Sequence, residues 1–334
     1  MSLLVTEFNK LKIAAENETI SFKDFQSYFD GIFDGHLELL QALHWLEKNI
    51  QNLWEKSNFT VIYDCEEAEK LMEKIYAMLP FDDSGTVWFG GIIPSKNKCY
   101  NNLSSIKTSF FNTYIIVAAS TRNLLFIKKM YERIFYCIPT SVLFCESFME
   151  NDTRLISTLL AFLQIEKNHP GLSLNYTFVD LFVALLLQFQ GNAASMFVEF
   201  LATETVMIPF VLRSLKYLDG KVLLLKESYE RLGNADDQKL LQNERILFKR
   251  SSQPSSNIVL SINGIDDNHR VMISKRKESK DMILAAKDNN FNIVRFFQEF
   301  YQIVLISHRQ NSFPFKSDAL VKCLYSFYSC ISKA

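Results

Sequence analysis

Apolar side chains recur at spacings of three and four residues along most of this sequence. That period limits the fold more than any other feature. Leu39, Leu43, Leu46, Ile50 and Leu53 form one such series. A strand turns its side chains over every second residue and a helix returns every 3.6, so this series shares one flank only if the segment is helical. Further stripes follow: Leu71, Ile75 and Met78; Phe110, Tyr114, Val117 and Ala118; Leu124, Ile127, Met130, Tyr131 and Ile134. Phe178, Leu181, Phe182, Leu185, Leu186 and Phe189 cover a broader arc, and Ile293, Phe296, Phe300 and Ile303 mark a later helix. A one-sided apolar helix must bury that side on a neighbour, so the helices are expected to pack on each other.

Turn residues support this reading by their scarcity. There are 10 Gly and 7 Pro in 334 residues, fewer than a Rossmann domain, sandwich or barrel consumes in its turns. Few Gly also means few points where backbone can approach a phosphate closely. The 29 Phe read as filling between helices, with exposed aromatic grooves as the sharper alternative.

Helix punctuation places the elements. Ser21 and Asp24 give a start signal for an aromatic-rich helix, and Asp64 and Glu67 for one that Pro80 stops. Helical character returns near Leu103. Two shorter helices are expected between Ile138 and Leu163, and Pro170 and Gly171 break the chain. Helices follow over 178–189, 193–201, 206–218, 222–232 and 235–248, with Asn234 and Asp237 capping the last of these. Pro209 is tolerable near the start of its helix. Beyond a polar break at 251–256, helices are expected over 282–287, 292–307 and 318–332.

The expected class is mainly α: an irregular helical-repeat or multi-helix domain, with HEAT- or armadillo-like stacking of helix pairs at a period of about 35–45 residues. Two segments depart from it. Residues 81–102, with Gly90 and Gly91, read as an ordered loop or small hairpin. Residues 257–274 read as a β-hairpin, with Ile258, Leu260 and Ile262 alternating opposite Val271 and Ile273. A helical body over 1–250 is expected to carry a second unit, 251–334, packed on it.

Net charge is -1, but it is unevenly spread. Residues 1–80 carry 14 Asp/Glu and 7 Lys/Arg, a net of -7; the remainder carries 23 and 29, a net of +6. An array of helices would then present an acidic end and a weakly basic body.

The chemistry-bearing residues form no recognised signature. His36, His44, His169, His269 and His308 sit in no metal-binding pattern. Neither G-x-S-x-G, nor a P-loop, nor a kinase landmark occurs. Glu66, Glu69 and Glu73 align on a helix and are the kind of carboxylate cluster that holds Mg²⁺ or moves protons. Lys70 between them makes a solvated, charge-compensated flank the plainer reading. Cys137 and Cys145, and Cys323 and Cys330 seven residues apart, read as reduced thiols in packing roles. Phe313-Pro314-Phe315 is expected to dock internally.

The one compact basic segment holds Lys275, Arg276, Lys277 and Lys280. Such a patch neutralises phosphates or meets an acidic protein, and it supplies the candidate partner-binding residues. Neither a secretory leader nor an apolar run of bilayer length is read. The expectation is an intracellular protein of nucleus or cytoplasm with no cofactor: a non-enzymatic scaffold or subunit of a multiprotein complex. Two alternatives stand beside it, a nucleic-acid-associated protein using residues 275–280 and an enzyme with dispersed catalytic residues.

Overall fold

The computed structural model describes residue 29 and residues 36–59, 65–79, 99–172, 175–189, 192–233 and 292–333. These are mainly helical, and no strand occurs among the described residues. In chain order the helices are α1 (His36–Lys56), α2 (Cys65–Met78), α3 (Cys99–Ser120), α4 (Leu124–Cys137), α5 (Ser141–Phe148) and α6 (Asp152–Asn168). They continue with α7 (Phe178–Gln188), α8 (Ala193–Thr203), α9 (Met207–Leu218), α10 (Val222–Gly233), α11 (Ile293–Arg309) and α12 (Asp318–Ile331). The expected hairpin at 257–274, residues 81–98 of the expected loop and the helices at 235–248 and 282–287 lie outside the described residues, as does the Ser21–Asp24 start signal; residues 99–102, expected to belong to that loop, are instead the first turn of α3.

Side-chain caps explain several starts. Asn123, Thr140, Asn151 and Asn292 each accept a bond from a first-turn N–H, which satisfies donors that the helix itself leaves open. Thr177 and Asp180 form a reciprocal capping box on α7. Pro209 is the third residue of α9, where its missing N–H costs no helical bond.

Packing runs in series: α1 lies on α3, α3 on α6, α6 on α9, and α9 on α12. None of these pairs is adjacent in sequence. Cross-helix partners within the series sit far apart in the chain: Thr158 bonds Asn112, 46 residues earlier, and Tyr217 bonds Glu166, 51 residues earlier. Thr153 and Glu204 are also 51 apart, and with the Glu166–Tyr217 pair they run α6 and α9 in the same direction. On one flank α7 lies on α5, α6 and α10; on another, α8 lies on α11.

Helix α3 is the centre of the first half, with every residue from Ile106 to Thr121 buried beneath α1, α2, α4 and α6. Aromatic rings fill the second half. Phe197 meets Phe182, Phe296 and Phe300 at centroid distances of 6.1, 5.3 and 5.6 Å. Burying an aromatic ring of this kind contributes on the order of 2–3 kcal/mol by area.

Some stripe ends fall differently from the sequence expectation. Leu53 and Leu124 are exposed, and Trp54 takes the buried position at the end of α1. Cys323 and Cys330 are both exposed on α12 rather than packed. The inward side of that helix is already filled by Leu320, Leu324, Phe327 and Ile331. Phe313 and Phe315 are half-buried against the core with rings 5.0 Å apart, the internal docking that the sequence suggests.

Candidate functional site

A cleft of about 420 Å³ opens between α1 and the start of α6. His44, Glu47, Lys48, Gln51 and Asn52 line one wall; Asn151, Thr153 and Arg154 line the other. Helix α1 carries its polar residues here because its apolar stripe is turned onto α3.

The floor is an ion pair. Glu47 is 7% exposed. Arg154 donates from Nε to Oε1 at 2.6 Å and from Nη2 to Oε2 at 2.7 Å. Ser109 Oγ donates to Oε2 and Asn112 Nδ2 to Oε1, each at 2.7 Å. Thr158 Oγ1 then donates to Asn112 Oδ1 at 2.7 Å. Each carboxylate oxygen therefore accepts two bonds, and α1, α3 and α6 meet on one side chain. A carboxylate whose lone pairs are all spent on neighbouring helices acts here as a lock. His44, at the rim, has its pKa lowered: burial disfavours the imidazolium and Arg154 adds to that, against the opposing pull of Glu47. It presents neutral imidazole at pH 7.

The acidic run on α2 is divided among separate tasks. Glu66 pairs with Lys70 at 2.9 Å on the surface. Glu69 accepts from Thr121 Oγ1 and, at 2.8 Å, from Asn123 Nδ2. Glu73 accepts from both terminal nitrogens of Arg133, at 2.8 and 2.9 Å, and from Tyr114 OH at 3.0 Å. The guanidinium of Arg133 also lies 3.7 Å over the Tyr76 ring. Burial raises the Glu73 pKa, but the bonds from Arg133 and Tyr114 outweigh it, and the net shift is downward. The three carboxylates that the sequence aligns therefore face different partners, and none of their arrangements gathers a metal-binding set.

Two further clamps follow the same plan. Glu166 of α6 accepts from Phe178 N at 2.5 Å and from Tyr217 OH, joining α7 and α9. Asp180 of α7 closes its own capping box and accepts from Ser228 Oγ at 2.6 Å and from Arg231 of α10. The described thiols divide by exposure. Burial pushes the Cys145 thiol up strongly and that of Cys137 to about 11, which disfavours thiolate at neutral pH.

Lys275, Arg276, Lys277 and Lys280 lie outside the described residues. Arg295, the first basic residue of α11, is exposed and pairs with Glu299 at 2.7 Å. Sequence reasoning missed Glu47 and Arg154, which are 107 residues apart. One signal was present: Glu47 falls between Leu43 and Ile50 at helical spacing, on the buried stripe itself. Among the described residues no group of three His, Cys, Asp or Glu is placed to hold a metal ion, and no single helix there is long and apolar enough to cross a membrane. No protein-family model, curated protein or solved structure matches the chain.

Proposed function

We infer that this chain is a non-enzymatic interaction subunit of a multiprotein assembly, built as a HEAT- or armadillo-like stack of helices. The observation that carries this reading is the series α1, α3, α6, α9 and α12. Bonds between α3 and α6 and between α6 and α9 link residues 46 and 51 positions apart, the spacing of a two- or three-helix unit, and those between α1 and α3 link residues 62 and 65 apart. An array of this kind buries each helix on its neighbours and leaves long flanks free for partners. The clamps at Glu47, Glu73, Glu166 and Asp180 favour the same reading, because their polar groups are spent on holding helices together.

Cross-linking in cells, followed by purification of the tagged chain and size analysis, tests this. The expected result is a complex of defined stoichiometry. Recovery of the chain alone, after cross-linking that captures control assemblies, would overturn it. A low-salt titration with single- and double-stranded nucleic acid, using the chain and its Lys275→Ala/Arg276→Ala/Lys277→Ala variant, separates this reading from the nucleic-acid alternative. Binding lost in the variant would favour that alternative.

A further inference from the structure

The chain leaves α1 through backbone that its residues do not favour. Asn58 and Phe59 follow one another at φ 55° and 58°, in the left-handed region. Helices commonly end with one residue there, usually a glycine, because a Cβ crowds the following carbonyl. Asparagine tolerates the position; a bulky ring is an outlier. Bonds within the turn fix it: Ser57 N–H donates to Leu53 O at 3.0 Å, Asn58 N–H to Glu55 O at 2.9 Å and Phe59 N–H to Trp54 O at 2.8 Å. The Phe59 ring is buried edge-on against Trp54, with centroids 5.1 Å apart. Trp54 is fully buried, and among the described residues its indole N–H has no acceptor. Backbone strain and an unmade hydrogen bond thus share one corner.

What holds this corner comes from far along the chain. Arg213 of α9 donates from Nη2 to Asn58 O at 2.9 Å and from Nη1 to Phe59 O at 3.5 Å, 155 and 154 residues away. Its guanidinium also stands 5.2 Å from the centre of the Phe59 ring. The arginines of the clamps are different: Arg133, Arg154 and Arg231 each pair with a carboxylate. Arg213 spends its donors on two neutral carbonyls, and burial shifts its pKa downward. A cation held only by carbonyls is released more readily than one in a bidentate ion pair.

We propose that this corner is a two-state latch. Closed, Arg213 holds Asn58 and Phe59 in the left-handed turn and docks the end of α1 on α9. Open, the guanidinium returns to water, residues 57–59 relax to ordinary φ, and the indole N–H of Trp54 reaches an acceptor. The other helices stay packed, because the Glu47 lock anchors α1 upstream of the corner. The latch is a local opening of the folded state, and it stands with or without the reading of the chain as an interaction subunit.

Native-state hydrogen exchange of the full chain, read by mass spectrometry on overlapping peptides, tests it. In wild type the amides of residues 57–59 should exchange through an opening that urea hardly accelerates, at least about tenfold more often than those of α3. Arg213→Met should speed exchange at 57–59 about tenfold further, the loss of a charge-assisted bond, and leave residues 106–121 unchanged. Adding Asn58→Gly to Arg213→Met should recover about threefold of that protection, since glycine occupies a left-handed turn unaided. A mere packing role for Arg213 predicts no such rescue. Exchange at 57–59 that shares the urea dependence of α3 would overturn the latch, and wild type alone decides this. Unchanged exchange in Arg213→Met, equal acceleration in α3, or no recovery with glycine would each overturn it as well.

Discussion

Replacing Arg154 with Met keeps most of the side chain's length and removes its charge. Glu47 would then keep Ser109 and Asn112 as donors but lose two charge-assisted bonds of 2.6 and 2.7 Å. Breaking a buried ion pair from one side costs about 3–5 kcal/mol, because the remaining charge stays desolvated. The surviving donors place the expected loss at the lower end, about 3 kcal/mol. Urea unfolding reads it. Trp45 and Trp54, two of the three tryptophans, lie on α1, so fluorescence in a Trp88→Phe background follows the helix that carries Glu47, while far-UV circular dichroism follows all helices. The midpoint should fall with an unchanged slope, since the surface exposed on unfolding is nearly the same. A loss under about 1 kcal/mol would mean that Glu47 is readily hydrated in the folded state, and the lock would carry no special weight.

Other clamps should rank by burial. Asp180→Ala should cost about 2–3 kcal/mol through its lost cap and stranded Ser228 hydroxyl, whereas Arg231→Ala, more than half exposed, should cost under about 1 kcal/mol in the same urea assay. Glu73 has a depressed folded-state pKa, so its contribution is present above the unfolded carboxyl range and fades as pH falls through the folded value. Glu73→Gln should therefore flatten the acid limb of a stability-versus-pH curve; an unchanged limb would count against the Arg133 and Tyr114 bonds. Cys323 and Cys330 are exposed and Cys145 is fully buried with a raised pKa, so native-state alkylation should label the first two and spare the third until denaturant is added.

Much of the helical class is legible because local rules decide it. Stripes such as Phe126 missing but Ile127, Met130, Tyr131 and Ile134 present still identify α4, since a helix needs only part of its flank to be read. What pairs with what is not local. Helix pairs adjacent in sequence were the simplest expectation, yet α3 rests on α6 and α6 on α9, and no apolar spacing encodes that choice. The T-x-x-D spacing of Thr177 and Asp180 is a cap signal that the sequence reading passed over, and the second role of Asp180, accepting from Ser228 48 residues later, has no local signal at all. The exposed thiols of α12 show the same limit: residues 323 and 330 share a flank by period, and only packing decides which flank turns inward.

Interfaces rich in Phe and Leu are strong but weakly directional, because one ring or methyl substitutes for another at nearly the same energy. A carboxylate with four donors tolerates one register only. This leads to a further test of the Glu47 lock. In the combined variant Glu47→Met, Ser109→Ala, Asn112→Leu and Arg154→Met, the desolvation cost of the pair vanishes with the pair, so stability should return to within about 2 kcal/mol of wild type despite the loss from Arg154→Met alone. Uniqueness should not return. α1, α3 and α6 would then meet through interchangeable apolar surfaces, and amide resonances from these helices should broaden while dye binding to loosened apolar surface rises. Sharp wild-type-like resonances in the combined variant would show that shape complementarity alone sets the register, and that Glu47 contributes nothing to specificity.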